Sequence, residues 1–270
     1  MTILFPTDFS DRATKALDEA IGFAERFKAK LIILHLYHRP VSGKTSSQEM
    51  VKSRLLKLEM DIDDQFKEIK EQNEKLATIS YEFRKSLGVS TEGIINTAHY
   101  EDIDLIIMAT KGANGFGEIW GTKTAHIVKE VKVPVLVIPD DTTLDINKVC
   151  LACDYSDGTD YEALNLLAKI TKEMSMDVNV VTLNTEEKDL TDHQLVQRDK
   201  VKELLLSAPI AFEFTFNQHK EIGIINHCQA NKAGMIAILP KHYSFIEWLF
   251  HDSLTEKMVF HSPVPLLVLK

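Results

Sequence analysis

At 270 residues the chain is long for one compact domain and comfortable for two. Its 44% hydrophobic and 26% charged residues are those of an ordinary globular protein, and a formal net charge of −9 argues against nonspecific binding to nucleic acid or an anionic membrane. No apolar run approaches the roughly 20 residues that span a bilayer, and Met1 leads into an apolar strand rather than a leader peptide, so the sequence predicts a cytoplasmic protein.

Thr2–Phe5 reads as a short apolar strand that ends in Pro6-Thr7-Asp8-Phe9-Ser10. Ser10 is placed to cap a helix on which Ala13, Ala16, Leu17, Ala20, Ile21, Ala24 and Phe27 recur at helical spacing. Lys30–Leu36 is the second strand, and His38–Ser47 is a loop. The spacing predicts a long charged helix over Glu49–Leu76, a strand over Ala77–Phe83, and a weaker helix over Ser90–Tyr100 capped by Ser90 or Thr91. Leu105–Met108 is an unbroken apolar run, as in a parallel strand covered on both faces. A glycine-rich loop follows, then a helix capped by Thr122 with Thr124 in its first turn, then the buried strand Val133–Ile138. Strands and helices alternate throughout, which is the pattern of an α/β fold on a parallel sheet.

Gly112, Gly115, Gly117 and Gly121 let the backbone after the Leu105 strand approach a ligand closely, and a helix N-terminus beyond them suits phosphate. The loop is not a Walker P-loop, because no Gly-Lys-Ser/Thr ends it. Nor does G-x-G-x-x-G follow the first strand, as a dinucleotide fold requires. Alone, the glycines serve equally as a tight strand-to-helix connection. Three cysteines fit a reducing compartment, and the Cys150–Cys153 CxxC spacing falls in an apolar strand, which predicts buried, inert thiols. His35 and His38 approach metal-ligand spacing without companions and read as the end of a strand, so no metal site is expected.

The pattern then begins again. Ile3-Leu4-Phe5-Pro6-Thr7-Asp8-Phe9-Ser10 is echoed by Val149-Cys150-Leu151-Ala152-Cys153-Asp154-Tyr155-Ser156, each with an Asp-aromatic-Ser step. Lys30–Leu36 matches Asp177–Leu183, Thr122-Lys123-Thr124 matches Ser253-Leu254-Thr255, and Val133-Pro134-Val135-Leu136-Val137 matches Val264-Pro265-Leu266-Leu267-Val268. The sequence is read as an internal duplication, residues 1–140 and 147–270, joined by the polar stretch Asp140–Asn147.

A first strand ending in Asp, a long middle helix, and a closing glycine loop, Gly-Ser/Thr, helix and V-P-V-L-V strand together resemble the universal stress protein family, over the whole chain and twice. The resemblance implies two tandem copies of a five-stranded parallel-sheet α/β domain of the adenine nucleotide alpha hydrolase-like, Rossmann-like kind, with ATP or AMP at the carboxyl ends of the strands and Mg²⁺ accompanying ATP. On that reading Asp8 accepts a hydrogen bond from base or ribose, Pro6 and Thr7 shape the adjoining wall, and Met108 and Gly112 line the adenine–ribose side. Gly121, Thr122 and Thr124 offer donors to phosphate.

The chain departs from the family loop of Gly, two residues, Gly, nine residues, Gly-Ser/Thr. Ala109 replaces the first glycine, and eight residues rather than nine separate Gly112 from Gly121. In the second half Leu239, His242 and Asp252-Ser253 stand at these positions, so a carboxylate would face the phosphates; that half is expected not to bind nucleotide. No Ser-His-Asp elbow, HExxH or Mg²⁺-binding acidic pair is present, so no catalytic residue is assigned. The function expected is nucleotide-binding and regulatory, with a slow ATPase or a non-binding scaffold as rivals. Family members dimerise through the last strand, which implies that Val135–Ile138 and Leu266–Leu269 pair within one chain as a pseudo-dimer, with a further homodimer open to the whole protein.

Overall fold

The computed structural model describes residues 1–39, 48–110, 122–140, 142–144, 146–155, 160–218, 220–239 and 264–270. The chain divides into two compact units, Met1–Ala109 and Thr110–Lys270.

In the first unit, β1 (Thr2–Pro6), α1 (Asp11–Phe27), β2 (Lys30–Tyr37), α2 (Gln48–Gln72), β3 (Ser80–Leu87), α3 (Ser90–Tyr100) and β4 (Leu105–Thr110) follow in order. The strands lie as β3-β2-β1-β4. All three pairings are parallel, with Thr2 opposite Lys30, Ile3 opposite Leu105, and Lys30 opposite Ser80. Ile3, Leu4, Phe5, Leu31, Ile33, Leu105, Ile106 and Ile107 are wholly buried, as a sheet covered on both faces demands. Ser10 caps α1 by accepting the Ala13 N–H at 3.3 Å.

Several boundaries differ from the sequence reading; β3 runs on to Leu87, past the Phe83 end expected for it, and the strand expected over Val133–Ile138 spans Val135–Pro139. The long helix stops at Gln72, where the Asn73 side chain donates to the Ile69 carbonyl at 3.0 Å; a 3₁₀ turn, Glu74–Thr78, then buries Leu76. A continuing α-helix would carry Leu76 away from that position, and the next strand consequently starts at Ser80. Helix α3 is preceded by Val89, in an extended conformation with no side-chain cap; Ser90 is already helical.

The second unit holds α4 (Thr122–Glu130), β5 (Val135–Pro139), β6 (Lys148–Ala152), α5 (Leu164–Met174), β7 (Asp177–Leu183), α6 (Asp192–Leu204), β8 (Ile210–Thr215), α7 (Lys220–Ala230), β9 (Met235–Ile238) and β10 (Leu266–Val268). Its strands lie as β5-β10-β9-β6-β7-β8. Only β5 with β10 is antiparallel, Leu266 opposite Val137 and Val268 opposite Val135. That pairing places β5 with the second unit, ahead of the boundary expected from the repeat.

The repeats agree in detail. Helices α1 and α5 both end in a left-handed residue, Lys28 (φ 49°) and Ser175 (φ 53°). In each the following N–H reaches back to close the turn at 2.8 Å, Ala29 to Ala24 and Met176 to Thr171. Helices α3 and α7 share the tetrapeptide Gly-Ile-Ile-Asn, from Gly93 and Gly223. Both glycines admit a strand leucine: a Cβ would lie 2.3 Å from Leu36 Cδ2 in one and 2.7 Å from Leu183 Cδ2 in the other.

Candidate functional site

Strand order in the first unit reverses direction at β1, whose chain successor β2 lies on one side and β4 on the other. The carboxyl ends of β1 and β4 therefore flank a topological switch point, where open α/β sheets leave a crevice. Pro6, Thr7 and Asp8 stand at the end of β1. Continuing the register of Leu4 opposite Ile106 sets Met108 level with Pro6. These four predicted residues share one edge of one unit.

The turn that follows β1 is closely held. Thr7 is buried; its N–H donates to the Leu34 carbonyl at 2.9 Å, and its hydroxyl accepts the Phe9 N–H at 3.0 Å. Phe9 adopts φ 60°, a left-handed conformation that costs a non-glycine residue about 1–2 kcal/mol. Asp8 reaches solvent, and its Oδ1 accepts from both the Ser10 N–H (3.0 Å) and the Ser10 hydroxyl (2.5 Å). Burial pushes the Asp8 pKa up, but the two Ser10 hydrogen bonds, a hydrogen bond from the Asp8 backbone and the Arg12 charge outweigh it and leave the carboxyl below its ordinary range. An ionised carboxylate in reach of solvent, beside buried Thr7 and Met108, fits a hydroxyl or amine donor such as a ribose or an adenine edge presents.

Of the residues expected from the sequence to meet phosphate, two belong to the second unit and are described. Helix α4 begins at Thr122, and Thr124 is buried in its first turn. Gly112 and Gly121, with Lys111, Gly115 and Gly117, lie outside the described residues, as do His242 and Asp252-Ser253 of the second half. Among the described residues no three His, Cys, Asp or Glu side chains converge to hold a metal ion.

Two residues of this edge escaped the sequence reading. His35, taken there as a strand end, sets Nδ1 2.9 Å from the Thr7 carbonyl. Phe9 stacks on that imidazole at 4.3 Å and meets Phe66 of α2 edge-on at 5.3 Å. The repeated Asp-aromatic-Ser step was the available signal. The cysteines are buried, and burial pushes the Cys153 thiol up to about 12, while contact with Cys150 followed by burial raises Cys228.

Comparison with known proteins agrees with this architecture. The model of the Universal stress protein family matches residues 1–139, half of the chain. The chain belongs to the universal stress protein family. It is 31% identical over 144 residues to a universal stress protein of Thermus aquaticus, covering 51% of this chain and 97% of that protein. With universal stress protein MJ0577 of Methanocaldococcus jannaschii it shares 28% identity over 153 residues, 50% of this chain and 93% of the relative. A solved universal stress protein from Archaeoglobus fulgidus matches all of this chain and 98% of its own, with a TM-score of 0.69 and 17% identity, a likeness of fold. No helix among the described residues is long and apolar enough to cross a membrane.

Proposed function

We propose that the first repeat binds one adenine nucleotide, ATP or AMP, with Mg²⁺ accompanying ATP, and that the protein is a cytoplasmic regulator of the stress response rather than a strong catalyst. The observation that carries this reading is Asp8, ionised, in reach of solvent and held by Ser10 at the β1/β4 switch point. Asp8 accepts a hydrogen bond from ribose or base, Pro6, Thr7 and Met108 form the wall, and Gly112 and Gly121 give the backbone room. Thr122 and Thr124 open a helix whose free N–H groups and dipole favour phosphate. The second repeat, with Asp252 where the phosphates would lie, carries no nucleotide. The β5–β10 pairing supports reading the two repeats as an intramolecular pseudo-dimer, with nucleotide on one side of it only.

The test is mass spectrometry of small molecules released when gently purified protein is denatured. One adenine nucleotide per chain, lost in Asp8→Ala, is the expected result. Two per chain would refute the silence of the second repeat. No released nucleotide, together with flat calorimetric titrations of ATP, AMP and Mg²⁺, would make the protein a scaffold.

A further inference from the structure

Asp8 is held from both sides by one residue that no motif assigns to the site. His35 lies half-buried at the carboxyl end of β2, and its Nδ1 approaches the Thr7 carbonyl at 2.9 Å. A carbonyl oxygen only accepts, so the proton sits on Nδ1 and Nε2 carries the lone pair. Burial lowers the imidazole pKa more than the Thr7 carbonyl and the Asp8 charge raise it, so the ring is neutral at pH 7. The same ring stacks on Phe9, with centroids 4.3 Å apart and planes 24° from parallel. His35 thus grips the carbonyl of the residue before Asp8 and the side chain of the residue after it.

We propose that His35 is a positioning residue of the nucleotide site: its Nδ1–H on the Thr7 carbonyl and its stack on Phe9 lock the turn after β1 so that Asp8 presents its carboxylate to the ligand. The inference rests on the nucleotide reading above and adds to it the residue that orients the carboxylate.

The second repeat supplies an internal comparison. Tyr155, at the position of Phe9, takes the same left-handed backbone at φ 53°, and the Cys153 N–H donates to the Val181 carbonyl at 3.0 Å as the Thr7 N–H does to Leu34. At the position of His35 stands Thr182. The Tyr155 hydroxyl and Thr182 Oγ1 are both buried and meet each other there. The backbone turn therefore forms without an imidazole clamp. There the turn goes with a wholly buried Tyr155, whereas the first repeat, whose Phe9 is only half-buried, carries the clamp beside the one Asp proposed to meet a ligand.

Two variants of the full chain separate the clamp from simple packing. His35→Phe keeps a ring to stack on Phe9 and removes the donor. His35→Asn removes the ring and returns an amide N–H near the place of Nδ1. AMP affinity by calorimetry is expected to fall about tenfold in His35→Phe, the worth of one well-placed hydrogen bond, and to recover to within roughly threefold of wild type in His35→Asn. In the wild type, ¹⁵N spectra are expected to place the His35 proton on Nδ1. Unchanged AMP affinity in His35→Phe, or a proton on Nε2, overturns the proposal. If the wild type binds neither ATP nor AMP, the nucleotide reading fails and the clamp is judged on Asp8 itself. Its ¹³Cγ titration is then expected to move upward in His35→Phe as the Ser10 bonds loosen, and an unmoved titration overturns the clamp. Should His35→Phe not fold, the His35→Asn affinity and the ¹⁵N spectrum decide.

Discussion

Gly93 and Gly22 both sit inside helices, yet replacing them has opposite consequences. A Cβ on Gly93 would press within 3.0 Å of both Leu36 Cδ atoms, whereas nothing lies within 4 Å of the same addition at Gly22. Gly93→Ala is expected to destabilise by about 1–3 kcal/mol despite its better helix propensity. Gly22→Ala is expected to stabilise by roughly 0.5–1 kcal/mol. Urea unfolding of the two variants checks both, and a stabilising Gly93→Ala would mean that Leu36 swings aside freely. Acid response is also a residue-scale property here. The folded state lowers the pKa of His35, mainly through burial, so it holds the proton more weakly than the unfolded chain does. Stability is therefore full above about 6.5 and declines as pH falls below it. The depressed Asp8 carboxyl adds a second decline below about 4, the ordinary range of an Asp carboxyl. Unfolding curves from pH 8 to pH 5 are expected to slope less in His35→Phe than in wild type; equal slopes would remove His35 as the titrating group.

At the scale of elements, two helix caps of the same chemistry do different work. Thr191 closes a capping box on α6, its hydroxyl accepting the Gln194 N–H at 3.2 Å while Gln194 Oε1 accepts the Thr191 N–H at 3.1 Å. Ser10 caps α1 and also holds Asp8. Thr191→Ala and Ser10→Ala should each cost about 1 kcal/mol of stability. Only Ser10→Ala should also weaken AMP binding, and equal affinities in the two variants would detach the cap from the site. Most elements were legible because their apolar residues repeat at a helical or strand period, and Ser10 was legible because a hydroxyl before such a run has one common use. The end of α2 was not, since Leu76 continues the helical spacing and only its burial after a 3₁₀ turn reveals the break. Phe9 was hidden for a stronger reason. Local preference opposes φ 60° in a phenylalanine, and its stacking partner His35 lies on another strand, far along the chain.

Across the whole molecule, the repeat was legible in the Asp-aromatic-Ser steps and the two V-P strands, and the shared Gly-Ile-Ile-Asn of α3 and α7 was equally visible but overlooked. Of the candidate site, the residues at the end of β1 and in β4 were named from the sequence, whereas the His35 contacts with the turn after β1 were not, because they join two strands that local patterns treat separately. β5 is wholly buried, and β10 is its antiparallel neighbour. A chain cut after Asp140 would leave an apolar strand edge uncovered, so such a fragment is expected to self-associate in light scattering at micromolar concentration. A monomeric fragment as stable as the full chain would refute this.

The same pairing has a temporal side. Val137 finds its partner in Leu266, 129 residues further along the chain. At ribosomal speeds of roughly 5–20 residues per second, β5 emerges several seconds before β10 has been made. The nascent first repeat passes that interval with an incomplete sheet, and neighbouring ribosomes on one message carry identical open edges. The vulnerable moment of this protein thus falls during its synthesis, when a chaperone that shields β5 would do most to decide whether each chain closes on itself or on its neighbour.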